Sequence, residues 1–180
     1  DPQDGFGHGS FVAGIIGGGG AAGQGAYIGV APKTKLIDVR VTTADGISTE
    51  SDVVAGLQWV YENRITYNIR VVNLSLNASG AQSYQTSPLD AACEVLWFSG
   101  VVVIASAGNN GAGAIYPPAN DPFVITVGAT DEMGTVAPQD DTVATFSAYG
   151  TTADGFAKPD LVAPGRKLIG PLSSRLSLLA

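Results

Sequence analysis

Histidine, cysteine and methionine each occur once in these 180 residues, and charge is sparse, with 9 Lys and Arg against 16 Asp and Glu. A single Cys excludes an internal disulfide, and one Cys with one His excludes a Cys/His zinc cluster. Cys93 therefore reads as a small buried hydrophobe. The acid excess leaves a net charge of −7, which argues against nucleic acid as a partner, since a phosphate backbone wants a basic face. No apolar run has the length needed to cross a bilayer, so a membrane is not an expected partner either. What is abundant is apolar: hydrophobic residues make up 45% and charged ones 14%, a balance that excludes general disorder. The length suits one domain with a sizeable core.

Apolar runs rich in β-branched residues alternate with helical patterns. The runs are "KLIDVRV" (35–41), "IRVVNLSL" (69–76), "GVVVIASAG" (100–108) and "FVITVGA" (123–129). Nearly continuous Val and Ile is the signature of strands covered on both faces of a parallel sheet. Between the first two runs, "STESDVVAGLQWVYENR" predicts a helix capped by Thr49 and Asp52, with Val53, Leu57, Val60 and Tyr61 on one stripe. Between the next two, "SPLDAACEVLWFSG" predicts a helix with Ser87 as cap and Pro88 in its first turn. Leu89, Ala92, Cys93, Leu96 and Trp97 share its face, and Gly100 is its stop. The fold class is therefore α/β: a doubly wound, mostly parallel sheet with helices on both faces.

"GIIGGGGAAGQG" is not a dinucleotide loop, because its glycines follow a helical pattern rather than a strand, and no Gly-Lys-Ser/Thr follows them. It reads as a flexible connection. In an open α/β sheet, ligands gather at the carboxyl ends of the strands. Two exits stand out: "VVNLSLNASG", leaving through Ser75, Leu76 and Asn77, and "VVVIASAGNNG", leaving through Ser106, Ala107 and Gly108 to Asn109. Taken alone, Asn-Asn-Gly is an ordinary turn signal. The lone histidine lies in "GHGSFVAGIIGG", between two glycines at the mouth of a small-residue helix.

Taken together, these stretches resemble the catalytic domain of the subtilisin-like serine proteases (subtilases, peptidase family S8). "GHGSFVAGIIGG" is similar to that family's block around the catalytic histidine. "VVNLSL", "VVVIASAGNNG", "YPPANDPFVITVGATDE", "VATFSAYG" and "KPDLVAPG" follow in the family's order. The resemblance implies a three-layer subtilisin-like fold. It also implies that His8 is a general base and Asn109 the side-chain donor of an oxyanion hole. On the same footing Ser75, Leu76 and Asn77 pair with the substrate backbone, and Ser106, Ala107 and Gly108 wall the pocket for the residue before the scissile bond. Ser10 stands where Thr is usual, Phe11 where His is frequent, and Asn77 where Gly is common, the last of which narrows or reorients the cleft.

The family's Asp-Ser/Thr-Gly and Gly-Thr-Ser-x-Ala motifs are not in the sequence. Asp1 and Asp4 are too near His8 to be the upstream carboxylate, and Ser173, Ser174 and Ser177 lack the context of a nucleophile. The expectation is that residues 1–180 form part of a peptidase domain, incomplete at both ends, whose missing parts are its first partners. A peptide or protein is then the substrate. The alternative is a catalytically inactive peptide-binding module that uses strand addition.

Histidine suits the implied chemistry, because acyl transfer needs a base that exchanges protons near neutral pH. Gly7 and Gly9 leave room beside His8, and a helix start there disfavours the imidazolium. In subtilisin itself, removing the asparagine donor costs about 3 to 4 kcal/mol of transition-state stabilisation. The reaction requires no cofactor. Structural calcium is a further option, with Asp45, Asp121, Asp131, Asp140 and Asp141 as available oxygen ligands, but no stretch has an ordered ligand spacing. The family implies a secreted, extracellular protein, with cytoplasmic members as the exception.

Overall fold

A computed structural model describes residues 4–172. The chain folds as two compact units, Asp1–Asp52 with Leu168–Ala180, and Val53–Lys167.

The second unit is built on a sheet in the order β1 (Val71–Leu74), β2 (Val102–Ser106), β3 (Ile125–Asp131), with β7 (Leu161–Pro164) on the far side of β3. These four strands run parallel, and β4 (Thr142–Val143) adds an antiparallel pair at the end of β3. β5 (Gly150–Thr151) and β6 (Ala157–Lys158) form a separate two-stranded ribbon. Three of the four expected strands are present. Val103 and Ala105 are fully buried, as the unbroken apolar run in β2 requires of a central strand.

Helix α2 (Glu50–Asn63) starts where the sequence predicts it. Thr49 and Asp52 exchange bonds, Asp52 N–H donating to Thr49 Oγ1 (3.2 Å) and Thr49 N–H to Asp52 Oδ2 (3.3 Å), which satisfies amides a helix start leaves orphaned. Val53, Leu57 and Val60 are buried, but Tyr61 is 38% exposed. Its ring instead carries the Arg64 guanidinium 4.1 Å from its centroid, so the apolar stripe is one residue narrower than the pattern predicts. Helix α3 (Pro88–Phe98) is capped by Ser87, whose Oγ accepts from Asp90 N–H at 3.2 Å. Leu89, Cys93 and Leu96 enter the core. Gly100, at φ +85°, turns the chain out of the helix, a conformation that suits glycine.

The first unit contains α1 (His8–Gly17) and a short 3-10 turn at Ala21–Gly23. Residues 35–41, expected as a strand, form none. A strand requires a ladder partner, and among the described residues of this unit there is no strand to supply one. Its order comes from close backbone approach. Gly29, Val30 and Ala31 N–H donate to the carbonyls of Gly18, Ile15 and Ile16 at 2.7–2.9 Å. A Cβ on Gly29 would lie 2.6 Å from Gly18 N and 2.8 Å from Gly14 O, so the approach depends on glycine.

Candidate active site

The residues singled out from the sequence divide between the two units, and each group has its own geometry. In the second unit, the parallel register sets Leu74 beside Ala105, so the two strand exits leave the sheet at the same end, side by side. Asn77 joins them. Its Nδ2 donates to the Ser106 carbonyl (2.9 Å), and the Ser106 hydroxyl donates back to Asn77 Oδ1 (3.2 Å). The residue that stands in place of a common glycine thus fastens the substrate-strand candidate to the pocket-wall candidate, and the space between them is smaller by one amide. Ser75 and Leu76 are half-buried on the same exit, and the Ser75 hydroxyl sits 2.9 Å from Asn73 Nδ2, which donates to it.

Beyond Ser106, Ala107 N–H bonds to the Val127 carbonyl (2.9 Å) and Ala107 is buried. Gly108 then takes φ +103°, where an L side chain is strained, and its carbonyl accepts from Ala148 N–H (2.9 Å). This turn delivers Asn109 and Asn110 to solvent. The two are not equivalent. Asn110 Nδ2 donates to the Ala114 carbonyl at 3.0 Å, whereas the Asn109 amide makes no hydrogen bond among the described residues. Asn109 is the one with donors to offer.

In the first unit, His8 is exposed at the first position of α1. The N-cap is Gly7, at φ +90°, which has no side chain with which to cap. Asp4 does it instead, by reaching around the turn. Its Oδ1 accepts from Gly7 N–H (2.7 Å) and its Oδ2 from Ser10 N–H (2.8 Å). Burial pushes the Asp4 carboxyl up, and the Ser10 and Gly7 amides overcome this to hold it below its ordinary value. A carboxylate thus shares the helix end with His8, and its charge offsets the positive pole of the dipole. Asp4 is too near His8 in sequence to be the upstream catalytic carboxylate, and its place in the fold is that of a cap. The capping role was legible only as Asp three residues before a glycine cap. Asp1, Ser173, Ser174 and Ser177 lie outside the described residues.

The acidic residues considered for calcium are otherwise engaged or apart. Asp131 pairs with Arg166, which draws its carboxyl below the ordinary range, and also accepts from Met133 N–H. Asp140 accepts from the Thr135 hydroxyl at 2.8 and 3.0 Å. Asp45 and Asp141 sit in surface segments, and Asp121 is buried. Among the described residues no group of three or more His, Cys, Asp or Glu gathers as a metal would require. Nor is any helix among them long and apolar enough to cross a membrane.

Comparison with known proteins bears on the family and the fold. The model of the subtilase family matches residues 1–179. Serine protease AprX of Bacillus subtilis (strain 168) is 38% identical over 180 residues, which is 94% of this chain and 40% of that protein. Subtilisin Savinase of Lederbergia lenta is 38% identical over 165 residues, or 91% of this chain and 52% of its own length. Among solved structures, sphericase superposes with a TM-score of 0.79 at 24% identity, covering 94% of this chain and 56% of that one. S41 psychrophilic protease gives 0.73 at 31%, covering 88% and 52%. The chain thus spans about half the length of these relatives or less, and its mostly parallel sheet with flanking helices is their three-layer α/β fold.

Proposed function

The chain belongs to the subtilase family, and on that footing we propose that it serves in the hydrolysis of peptide bonds, with His8 as general base and Asn109 as the oxyanion donor. The observation that carries the reading is the uncommitted Asn109 amide, presented to solvent by a rigid buried strand beside a second strand exit. Relatives named as serine proteases support the reaction class.

In the first step a serine oxygen attacks the carbonyl carbon of the substrate while His8 Nε2 takes the hydroxyl proton. The developing oxyanion accepts from Asn109 Nδ2, a donor whose position costs no reorganisation at the moment of reaction. His8 returns the proton to the leaving amine, an acyl-enzyme forms, and water repeats the sequence to release the acid. The serine, and the aspartate that orients His8, belong to motifs absent from these 180 residues. We therefore take the chain as part of one peptidase domain, completed by segments that carry those motifs. The backbone of a peptide or protein substrate adds as a strand along Ser75, Leu76 and Asn77, and the side chain before the scissile bond lies against Ser106, Ala107 and Gly108. Structural calcium stays outside this scheme, and secretion is part of the proposal on the family's habit.

The test is turnover of a chromogenic peptide amide by the complete product of the encoding gene. His8→Ala in that protein lowers kcat by about a millionfold, the cost known for the triad histidine of subtilisin itself. The 180-residue chain alone gives no turnover sensitive to serine reagents. A complete protein that binds peptides without cleaving them, equally well with and without His8, overturns the proposal in favour of a binding module.

A further inference from the structure

The interior of the second unit holds an unbalanced polar cluster. Asp90 on α3, and Asn120 and Asp121 in the segment ahead of β3, are all fully buried. Both carboxylate oxygens of Asp90, Oδ2 of Asp121 and Oδ1 of Asn120 have no hydrogen-bond partner among the described residues. All four are acceptors. Two nearby donors are engaged elsewhere, Asn120 Nδ2 with the Gln82 carbonyl (2.9 Å), and Lys158 Nζ with the Val124 carbonyl (2.8 Å) and Asp160 (2.7 Å), which leaves the Ser87 hydroxyl and the second Asn120 amide hydrogen against four acceptors. A buried acceptor without a donor is costly, and an unneutralised buried carboxylate more so.

We propose that Asp90 is a neutral carboxylic acid in the folded chain, its proton supplying the donor that this cluster lacks, and that losing the proton weakens the seat of α3 against the segment ahead of β3. Asp90 is the member that takes it, because Asp121 has better means of holding charge. Phe123 N–H donates to Asp121 Oδ1 at 2.6 Å, and the Lys158 ammonium acts on it. No backbone amide or ammonium among the described residues donates to Asp90; the Ser87 hydroxyl and the Asn120 amide beside it offset its burial only in part. The charged groups that bear on it most are Asp121 and, one turn along α3, Glu94, both of which disfavour its ionisation.

Burial, reinforced by those two carboxylates and only partly offset by Ser87 and Asn120, pushes Asp90 up to about 7. Burial also raises Asp121, to about 6. As the pair interact, they titrate in two steps, the higher assigned to Asp90. Between about pH 4 and about pH 7 the folded chain binds more protons than the unfolded one, so stability falls as pH rises through that window and levels off above it.

Carboxyl-carbon NMR of the 180-residue chain, labelled at aspartate, tests this. The expected result is one carboxyl titrating near about pH 7, absent from Asp90→Asn. The urea midpoint of the parent should fall between about pH 5 and about pH 8, and the asparagine variant, which keeps a donor, should lose most of that fall. If every carboxyl of the parent titrates below about pH 5 the proposal is overturned, and this arm needs no variant to fold. It is overturned too if the high titration survives Asp90→Asn and disappears in Asp121→Asn. A rise of the parent's midpoint on adding calcium chloride at about pH 8, absent from Asp90→Asn, shows a cation rather than a proton in the cluster and equally overturns it.

Discussion

The unit that carries Asn109 and the unit that carries His8 are held together by different means. In Val53–Lys167 the buried residues are side chains: Leu57 and Val60 from α2, Cys93 and Leu96 from α3, Val103 and Ala105 from β2, and Val124 just ahead of β3. In the other unit the buried residues among those described are Gly7, Gly20 and Gly29, and α1 has no buried side chain at all. One is a hydrophobic core in the ordinary sense. The other is backbone packed on backbone, possible where no Cβ intervenes. The two groups of the proposed reaction therefore rest on foundations that respond to different mutations.

Side-chain truncation separates them most. Leu96→Ala removes a fully buried leucine from α3, and the lost transfer energy plus the cavity should cost about 2–5 kcal/mol in urea unfolding. Val30→Ala in the glycine-rich unit, where Val30 is 89% exposed, should stay within about 0.5 kcal/mol. Equal losses would break the comparison. Backbone crowding reverses the roles. Gly29→Ala places a carbon 2.6 Å from Gly18 N, and the required shift should cost about 1–3 kcal/mol. Hydrogen exchange should show that loss in the Val30 and Ala31 amides, which bond to α1, and not in β2 or β3.

The same difference explains what the sequence revealed. α2, α3 and three strands were legible because a core imposes a period of 3.6 or a continuous apolar run, and burial then follows the pattern. The run at 35–41 has the same composition and forms no strand, since composition says that a segment suits a sheet and not that a neighbour exists. Tyr61 kept the helical period but met Arg64 instead of the core. At the candidate site, adjacent Asn109 and Asn110 are indistinguishable as letters. What separates them is one hydrogen bond to the Ala114 carbonyl. The Asn77 bridge to Ser106 joins positions 29 residues apart, and the Asp90 cluster joins the first turn of α3 to a segment some thirty positions on. Pairings of that range leave no trace in local spacing.

A smaller loss than that of the core leucine is expected where a carboxylate anchors the start of α1 in the glycine-rich unit. Asp4 accepts from Gly7 and Ser10 N–H at the start of α1, and Asp4→Ala should cost about 1 kcal/mol, the usual worth of a capping side chain. Its pH dependence has the opposite sign to that of Asp90. The two amides hold the folded-state carboxyl below its ordinary value, so the cap's contribution is complete above the unfolded value and is lost as pH falls through the lowered one. Acidification should therefore loosen α1, in exchange-protection measurements on its first amides, while it protonates Asp90 and tightens α3. Asp4→Asn keeps an acceptor oxygen without the charge, so it should retain part of the cap and lose the acid response. If α1 and α3 loosen together on acidification in the parent chain, the two units are not held by independent means, and the contrast drawn between them fails.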